Sequence, residues 1–238
     1  MSAGQVGTHD PVLDSIATAP LVDADAVSRT FTRGGIAVAA LRSTTCTVTP
    51  GMRVALTGPS GSGKSTLLHL FAGLDMPTAG SLSWPGLDGP PHGRPGVVGM
   101  VFQGPSLIPA LDVVENVALP LLLAGVGEAD AAERAGAAIR RLEIGELAHR
   151  LPEEISGGQA QRVAIARVLA NRPRLILADE PTGQLDHVAG EQVMTVLLET
   201  AAELGAALVV STHDEQVARR LPRRWRMDDG RLHVEEAS

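Results

Sequence analysis

Nine consecutive residues, Gly58-Pro59-Ser60-Gly61-Ser62-Gly63-Lys64-Ser65-Thr66, satisfy the phosphate-loop pattern G-x-x-x-x-G-K-[ST] at every fixed position. Lys64 is the only lysine of the chain, and the other Lys/Arg-type charges are all arginines. A guanidinium is a broad planar fork, whereas an ammonium is a compact charge that fits between phosphate oxygens in a tight backbone loop. The chemistry suited to this composition is the grip of a nucleotide's phosphates. Lys64 would neutralise phosphate charge, the Ser65 hydroxyl would ligate Mg²⁺, and Thr66 with the loop amides would hold the α- and β-phosphates.

Leu175-Ile176-Leu177-Ala178 is an apolar run that ends abruptly in two carboxylates, Asp179 and Glu180. Ligands of parallel sheets bind at the carboxyl ends of strands, so these acids are expected to meet the phosphate loop. Asp179 is placed to hold Mg²⁺ directly or through water, and Glu180 to polarise the water that attacks a γ-phosphate. Ile155-Ser156-Gly157-Gly158-Gln159 is a second glycine-rich helix start. By the same physics it is a second phosphate cradle, although Ser156 also suits a plain helix cap. Two cradles per chain make sense if two chains meet head to tail, each offering its second cradle to the nucleotide of the other.

These groups act together only if regular elements hold them. Residues 53–57 read as a short buried strand and residues 65–72 as the helix after it. The loop between them then aims backbone N–H groups and the positive end of a helix dipole at one point. Upstream, β-type runs at 21–26, 37–41 and 45–48, parted by glycine or polar breaks, predict an antiparallel sheet. Residues 84–96 are crowded with Pro and Gly and read as a surface connection, followed by a buried strand over 97–102. Helical spacing predicts an amphipathic helix over 129–142 within a helical insertion, and another over 159–170. Strand 174–179, helix 189–204 and strand 206–211 give the βαβ rhythm of a parallel sheet, and 225–234 turns at Asp229-Gly230 like a hairpin. The expected fold class is α/β. Residues 1–19 lack periodicity and read as a mobile extension, leaving a single domain over 20–238.

With 238 residues, 44% of them hydrophobic, the chain is long enough to bury a sizeable core. A formal charge of −7 argues against nucleic acid as the main partner, which would ask for a basic field or stripe. Cys46 stands alone, so no intramolecular disulfide forms, and no metal-ligand cluster is evident in the sequence, which suits a reducing cytosol. The N-terminus lacks the basic-then-apolar pattern of a secretory signal. The longest apolar run, 117–126, is about half of the roughly 20 residues that a membrane span needs, and it contains Pro120. Any membrane role is expected to be borrowed from a partner.

The order of these motifs resembles the ATP-binding-cassette (ABC) ATPases over about residues 20–235. The family's Walker A motif is similar to the nine-residue loop, and its Q-loop glutamine to Gln103 in Val101-Phe102-Gln103. Its signature is similar to Ser156-Gly157-Gly158-Gln159, and its Walker B strand to 175–179, with Glu180 as the catalytic glutamate. Its D-loop is similar to Gly183-Gln184-Leu185-Asp186 and its switch histidine to His213 in Ser211-Thr212-His213-Asp214. The resemblance implies a P-loop NTPase cassette with a mixed central sheet, an N-terminal antiparallel β-subdomain and an α-helical signature subdomain inserted at about 104–160. It implies ATP and Mg²⁺ as cofactors. Gln103 then joins Ser65 and Asp179 at the metal, and serves hydrolysis with Glu180 and His213, which hydrogen-bonds the γ-phosphate and senses its loss. Ser156, Gly157, Gly158, Gln159 and Asp186 are expected at the nucleotide as well. Adenine is expected on Phe31, in Arg29-Thr30-Phe31-Thr32, where the family usually has a tyrosine; this chain has none.

Gly73-Leu74-Asp75-Met76-Pro77-Thr78-Ala79-Gly80, followed by Glu115-Asn116-Val117-Ala118-Leu119-Pro120-Leu121-Leu122-Leu123-Ala124-Gly125, resembles the branch that includes the lipoprotein-releasing and macrolide-exporting ATPases. That branch implies an integral-membrane permease as partner, with the apolar segment 107–126 helping to form a groove for a short cytoplasmic helix of it. It implies an ATP-dependent head-to-tail dimer with itself or a paralogous cassette, no nucleic acid, and a cytoplasmic place, peripheral on the inner face of the cell membrane. A regulatory ABC ATPase that pulls on a membrane protein to activate cell-wall hydrolases shares much of this pattern and stays open beside the transporter reading. Ile155 and Gln184 depart from the usual leucine and asparagine, and the connection 84–96 is shorter and richer in Pro and Gly than the branch usually shows. The arginines at 219, 220, 223, 224 and 226 read as a solvated face.

Overall fold

The computed structural model describes residues 19–234. The extension expected over 1–19 therefore lies, apart from Ala19, outside the described residues. Strands β1 (Val22–Arg33), β2 (Ile36–Val48) and β4 (Ala79–Ser83) form an antiparallel sheet in the order β2-β1-β4. Strands β3 (Arg53–Thr57), β5 (Val98–Val101), β6 (Leu175–Asp179), β7 (Ala207–Ser211), β8 (Arg223–Asp228) and β9 (Arg231–Val234) form a second sheet in the order β5-β6-β7-β3-β8-β9. Its pairs are parallel except for the β8–β9 hairpin at one edge, so the central sheet is mixed.

A parallel sheet covered on both faces needs strands that are apolar throughout, and β6 and β7 are buried at every position. Because side chains alternate along a strand, one strand feeds two cores. Leu175, Leu177, Val209, Val54 and Leu56 enter a core shared with the antiparallel sheet and helix α1 (Lys64–Phe71). Ile176, Ala178, Leu208, Val210 and Ala55 enter the opposite core, which holds α2 (Val113–Leu123), α3 (Glu128–Arg141), α4 (Gly157–Ala170), α5 (His187–Leu204) and α6 (Glu215–Arg219).

Several elements differ from the sequence expectation, each for a physical reason. The three short upstream runs are parts of two long strands, β1 and β2, which pass through their polar breaks as β-bulges. Ala26 at φ 48° marks one such irregularity, and Gly80 lies so close that a Cβ there would stand 2.3 Å from the Ala26 carbonyl. Helix α2 lies within the helical insertion expected at about 104–160, where periodicity gave it no bounds of its own, and Pro120 inside it removes a helix donor. It forms because Val113, Val117 and Leu121 recur every four residues on one buried face, and because Asp112 and Glu115 close a capping box at its start. Strand β4 and helix α6 are likewise short elements that periodicity does not resolve. The connection 84–96 is not purely surface: Leu87 is fully buried in a 3-10 turn, and the Trp84 indole donates to the Phe71 carbonyl at 2.8 Å.

Side chains bind the helical layer to the rest. Asn116 on α2, fully buried, accepts from the Ile108 amide at 2.8 Å and donates to the carbonyls of Ile108, Leu111 and Asp112 at 2.8–3.1 Å. Arg141 at the end of α3 grips Glu203 on α5 with two bonds of 2.6 and 2.7 Å. That hydrogen bonding raises the Arg141 guanidinium and holds the Glu203 carboxyl below its usual range.

Candidate nucleotide site

The sheet order delivers every central motif to one edge. β5, β6, β7 and β3 are consecutive neighbours, all parallel, so their carboxyl ends lie side by side. Gln103 follows β5, Asp179 and Glu180 end β6, His213 follows β7, and the phosphate loop follows β3. This is where ligands of parallel sheets bind. A cavity of about 490 Å³ opens there, lined by Ala40, Ser60, Gly61, Gly63, Lys64, Ser65, Thr66, Gln103, Glu180 and His213.

The loop needs glycine where its backbone crosses other chain. At Gly58 (φ 141°) a Cβ would sit 2.1 Å from the Met227 carbonyl oxygen, and at Gly63 (φ 105°) 2.3 Å from that of Ala40. Gly63 opens α1 with no side-chain cap, leaving the first helical amides facing the cavity. Lys64 is only 5% exposed, and its ammonium donates to the carbonyls of Gly58 and Pro59, both at 2.9 Å. Ser62 Oγ is buried without a hydrogen-bond partner among the described residues.

The acids converge with their neighbours. Glu180 Oε2 accepts from the Gln103 side-chain amide at 3.3 Å, and its Oε1 lies 3.4 Å from His213 Nδ1. Asp179 is buried, does not itself line the cavity, and accepts a hydrogen bond on Oδ1 from the Ser211 hydroxyl. Glu180 has a left-handed backbone, φ 46°, with its N–H held by Ser211. The hydroxyl of Ser65, the carboxylate of Asp179 and the amide oxygen of Gln103 are hard oxygen donors of the kind Mg²⁺ takes. Among the described residues no group of three or more His, Cys, Asp or Glu side chains is arranged to hold a metal alone. Mg²⁺ sites commonly use one or two carboxylates and complete the shell with waters and substrate phosphates, so the residues fit this ion and a nucleotide.

Other predicted residues lie elsewhere. Ser156 caps α4 in a capping box with Gln159, their paired bonds measuring 3.2 and 2.8 Å, and Asp186 caps α5. Ser156, Gly158, Gln159 and Asp186 border a separate hollow of about 220 Å³ with Arg162 and Gln184, and none of them lines the phosphate cavity. Phe31 sits on β1 opposite Val38 of β2 and is 41% exposed. The Arg29 guanidinium, tied to Asp75 at 2.8 Å, lies 4.5 Å from the centre of its ring.

Sequence reasoning missed the residues that hold Gln103 and the acids in place. Gln161 and Arg167 of α4 donate to the carbonyls of Phe102, Pro105 and Ser106, anchoring the chain on both sides of Gln103. Their partners are backbone atoms, which leave no sequence signal. Gln184 reaches the Gln103 carbonyl at 3.3 Å, a contact that its departure from asparagine could have flagged. Ser211 did carry a signal: it is the polar end of an apolar strand, two residues before the motif histidine.

The ABC transporter family model matches residues 41–183, more than half of the chain. The lipoprotein-releasing system ATP-binding protein LolD of Hyphomonas neptunium is 39% identical over 220 residues, 90% of this chain and 96% of that one. The macrolide export ATP-binding/permease protein MacB of Wolinella succinogenes is 42% identical over 90% of this chain but only 34% of its own length. Among solved structures, the cassette MJ0796 in a dimeric post-hydrolysis state bound to ADP and Pi superposes with a TM-score of 0.84 at 37% identity, covering 91% of this chain and 98% of that one. Sequence, sheet order and the clustering of motifs at one sheet edge thus agree, and the chain belongs to the ABC transporter family as one of its ATPase cassettes.

Proposed function

We propose that this chain hydrolyses ATP as the energy-converting subunit of a bacterial ABC transporter, dimerising around ATP and Mg²⁺ to power a separate membrane permease of the export, lipoprotein-release or mechanotransmission type. The observation that carries this reading is the convergence of Lys64, Gln103, Glu180 and His213 on one cavity at the end of four adjacent parallel strands. Lys64 and the loop amides would hold the phosphates, and Ser65, Asp179 and Gln103 would hold Mg²⁺, whose chemistry there would be neutralisation of charge building up at the γ-phosphate. Glu180 orients the attacking water and accepts its proton, while His213, 3.4 Å from that carboxylate, hydrogen-bonds the γ-phosphate. Catalysis of this kind rests on positioning and charge neutralisation, without a covalent intermediate.

Phe31 supplies the adenine platform, steadied from one side by Arg29. Ser156, Gly157, Gly158, Gln159 and Asp186 serve the nucleotide held by the opposite cassette of a head-to-tail dimer. That Ser156, Gly158, Gln159 and Asp186 border a hollow other than the chain's own phosphate cavity supports this assignment. In this reading force reaches the bilayer through the partner permease, with the cassette peripheral on its cytoplasmic face; among the described residues no helix is long and apolar enough to cross a membrane.

The test is Glu180→Gln, whose amide cannot accept the water's proton. It is expected to bind ATP, to turn over at least about 100-fold more slowly, and to shift from monomer to dimer with ATP and Mg²⁺ in light scattering after size exclusion. Undiminished turnover would overturn the assignment of Glu180.

A further inference from the structure

Strand β7 is apolar until its last residue, Ser211, which is fully buried and lies in register with Asp179 on β6. Its hydroxyl makes two bonds at once. It donates to Asp179 Oδ1 and accepts from the Glu180 N–H at 3.1 Å, an N–H that the Ser211 carbonyl also accepts at 3.1 Å. One small side chain therefore touches both acidic residues and does not itself line the cavity.

Each contact constrains something the reaction needs. A carboxylate has two oxygens and turns freely about its last bond unless one oxygen is claimed. With Oδ1 bound to Ser211, Oδ2 is the oxygen that Asp179 would have left for a metal, held in one orientation. Glu180 sits in the left-handed region, which is disfavoured for a residue with a Cβ and persists only where neighbours enforce it. The doubly accepted N–H enforces it, and the direction of the Glu180 side chain toward Gln103 and His213 follows from that backbone.

We infer that Ser211 is a positioning residue for hydrolysis, fixing through one hydroxyl both the oxygen that Asp179 presents to Mg²⁺ and the backbone from which Glu180 reaches water. The inference rests on the roles given above to Asp179 and Glu180.

Three substitutions test it. Ser211→Ala removes the hydroxyl, Ser211→Cys keeps the size with a poor donor, and Ser211→Thr keeps the hydroxyl on a side chain suited to strands. In the Glu180→Gln background, the Mg²⁺ concentration giving half-maximal ATP-dependent dimer is read by light scattering, a binding measurement free of turnover. Ala and Cys are expected to raise that midpoint about tenfold, as loss of partners behind a metal ligand typically does, and Thr to restore it. In the otherwise native chain, kcat should fall about tenfold for Ala and Cys with little change in KM for ATP, again with rescue by Thr. A folded Ser211→Ala with an unmoved Mg²⁺ midpoint and kcat overturns the proposal. If Ser211→Ala does not fold, equal behaviour of Cys and Thr overturns it instead. Asp179→Asn separates the levels. An unchanged Mg²⁺ midpoint there overturns the metal reading, and Ser211 with it. A normal loss there beside an inert Ser211→Ala overturns the Ser211 proposal alone.

Discussion

Lys64 shows how much a single side chain in this loop is asked to do. Its ammonium is almost wholly buried and rests on the carbonyls of Gly58 and Pro59. Those neutral acceptors hold it at the cavity, where charged phosphate oxygens would form bonds roughly twice as strong. Lys64→Ala is expected to fail at binding rather than at chemistry. Loss of a charge-assisted bond of about 2 kcal/mol corresponds to roughly thirtyfold weaker ATP binding, measurable by calorimetric titration. Lys64→Arg should not rescue it, because the planar fork has no room between backbone carbonyls spaced for one nitrogen.

Helix α2 illustrates what an element adds to its residues. Asn116 spends both side-chain N–H groups on three carbonyls of the segment 108–112 and accepts from the Ile108 amide, so it fixes the chain that links the Gln103 loop to the helical layer. Asn116→Ala would leave the partly buried Ile108 N–H and Leu111 carbonyl without their partner and is expected to destabilise the fold by about 2 kcal/mol. The check is a lower urea midpoint with an unchanged denaturant slope. Nothing in the sequence pointed to this role. The partners of Asn116 are backbone atoms, and Pro120 argues locally against the helix that burial then stabilises. The phosphate loop, the signature and the strand ending in Asp179-Glu180 were legible because each is a contiguous strand or helix end, whose residues declare their own geometry. Ser211 becomes meaningful only when β7 is laid beside β6, since 32 positions part it from Asp179 along the chain. The bulged strands β1 and β2 hid for a related reason, because a bulge reads locally as a break.

At the scale of the whole molecule, the two glycine-rich helix starts border different hollows, which leaves open ground between them for a second chain to occupy. Gly157→Asp tests whether a second chain closes that gap. The site has room, since a Cβ would approach only Gln184 Oε1, at 3.7 Å. A carboxylate in the first turn also suits the helix dipole, so folding should be unharmed. Facing a partner's γ-phosphate, the same carboxylate repels. The expected outcome is a folded chain that binds ATP as a monomer and no longer shows the ATP-dependent shift in mass, even in the Glu180→Gln background; a dimer of unchanged stability would refute the head-to-tail arrangement. Lys64, finally, gives the molecule a built-in spectroscopic address. Isotope labelling of lysine alone lights up one residue, seated where α1 meets the loop, and its resonances would follow the filling and emptying of the cavity in an assembly of any size without a foreign tag.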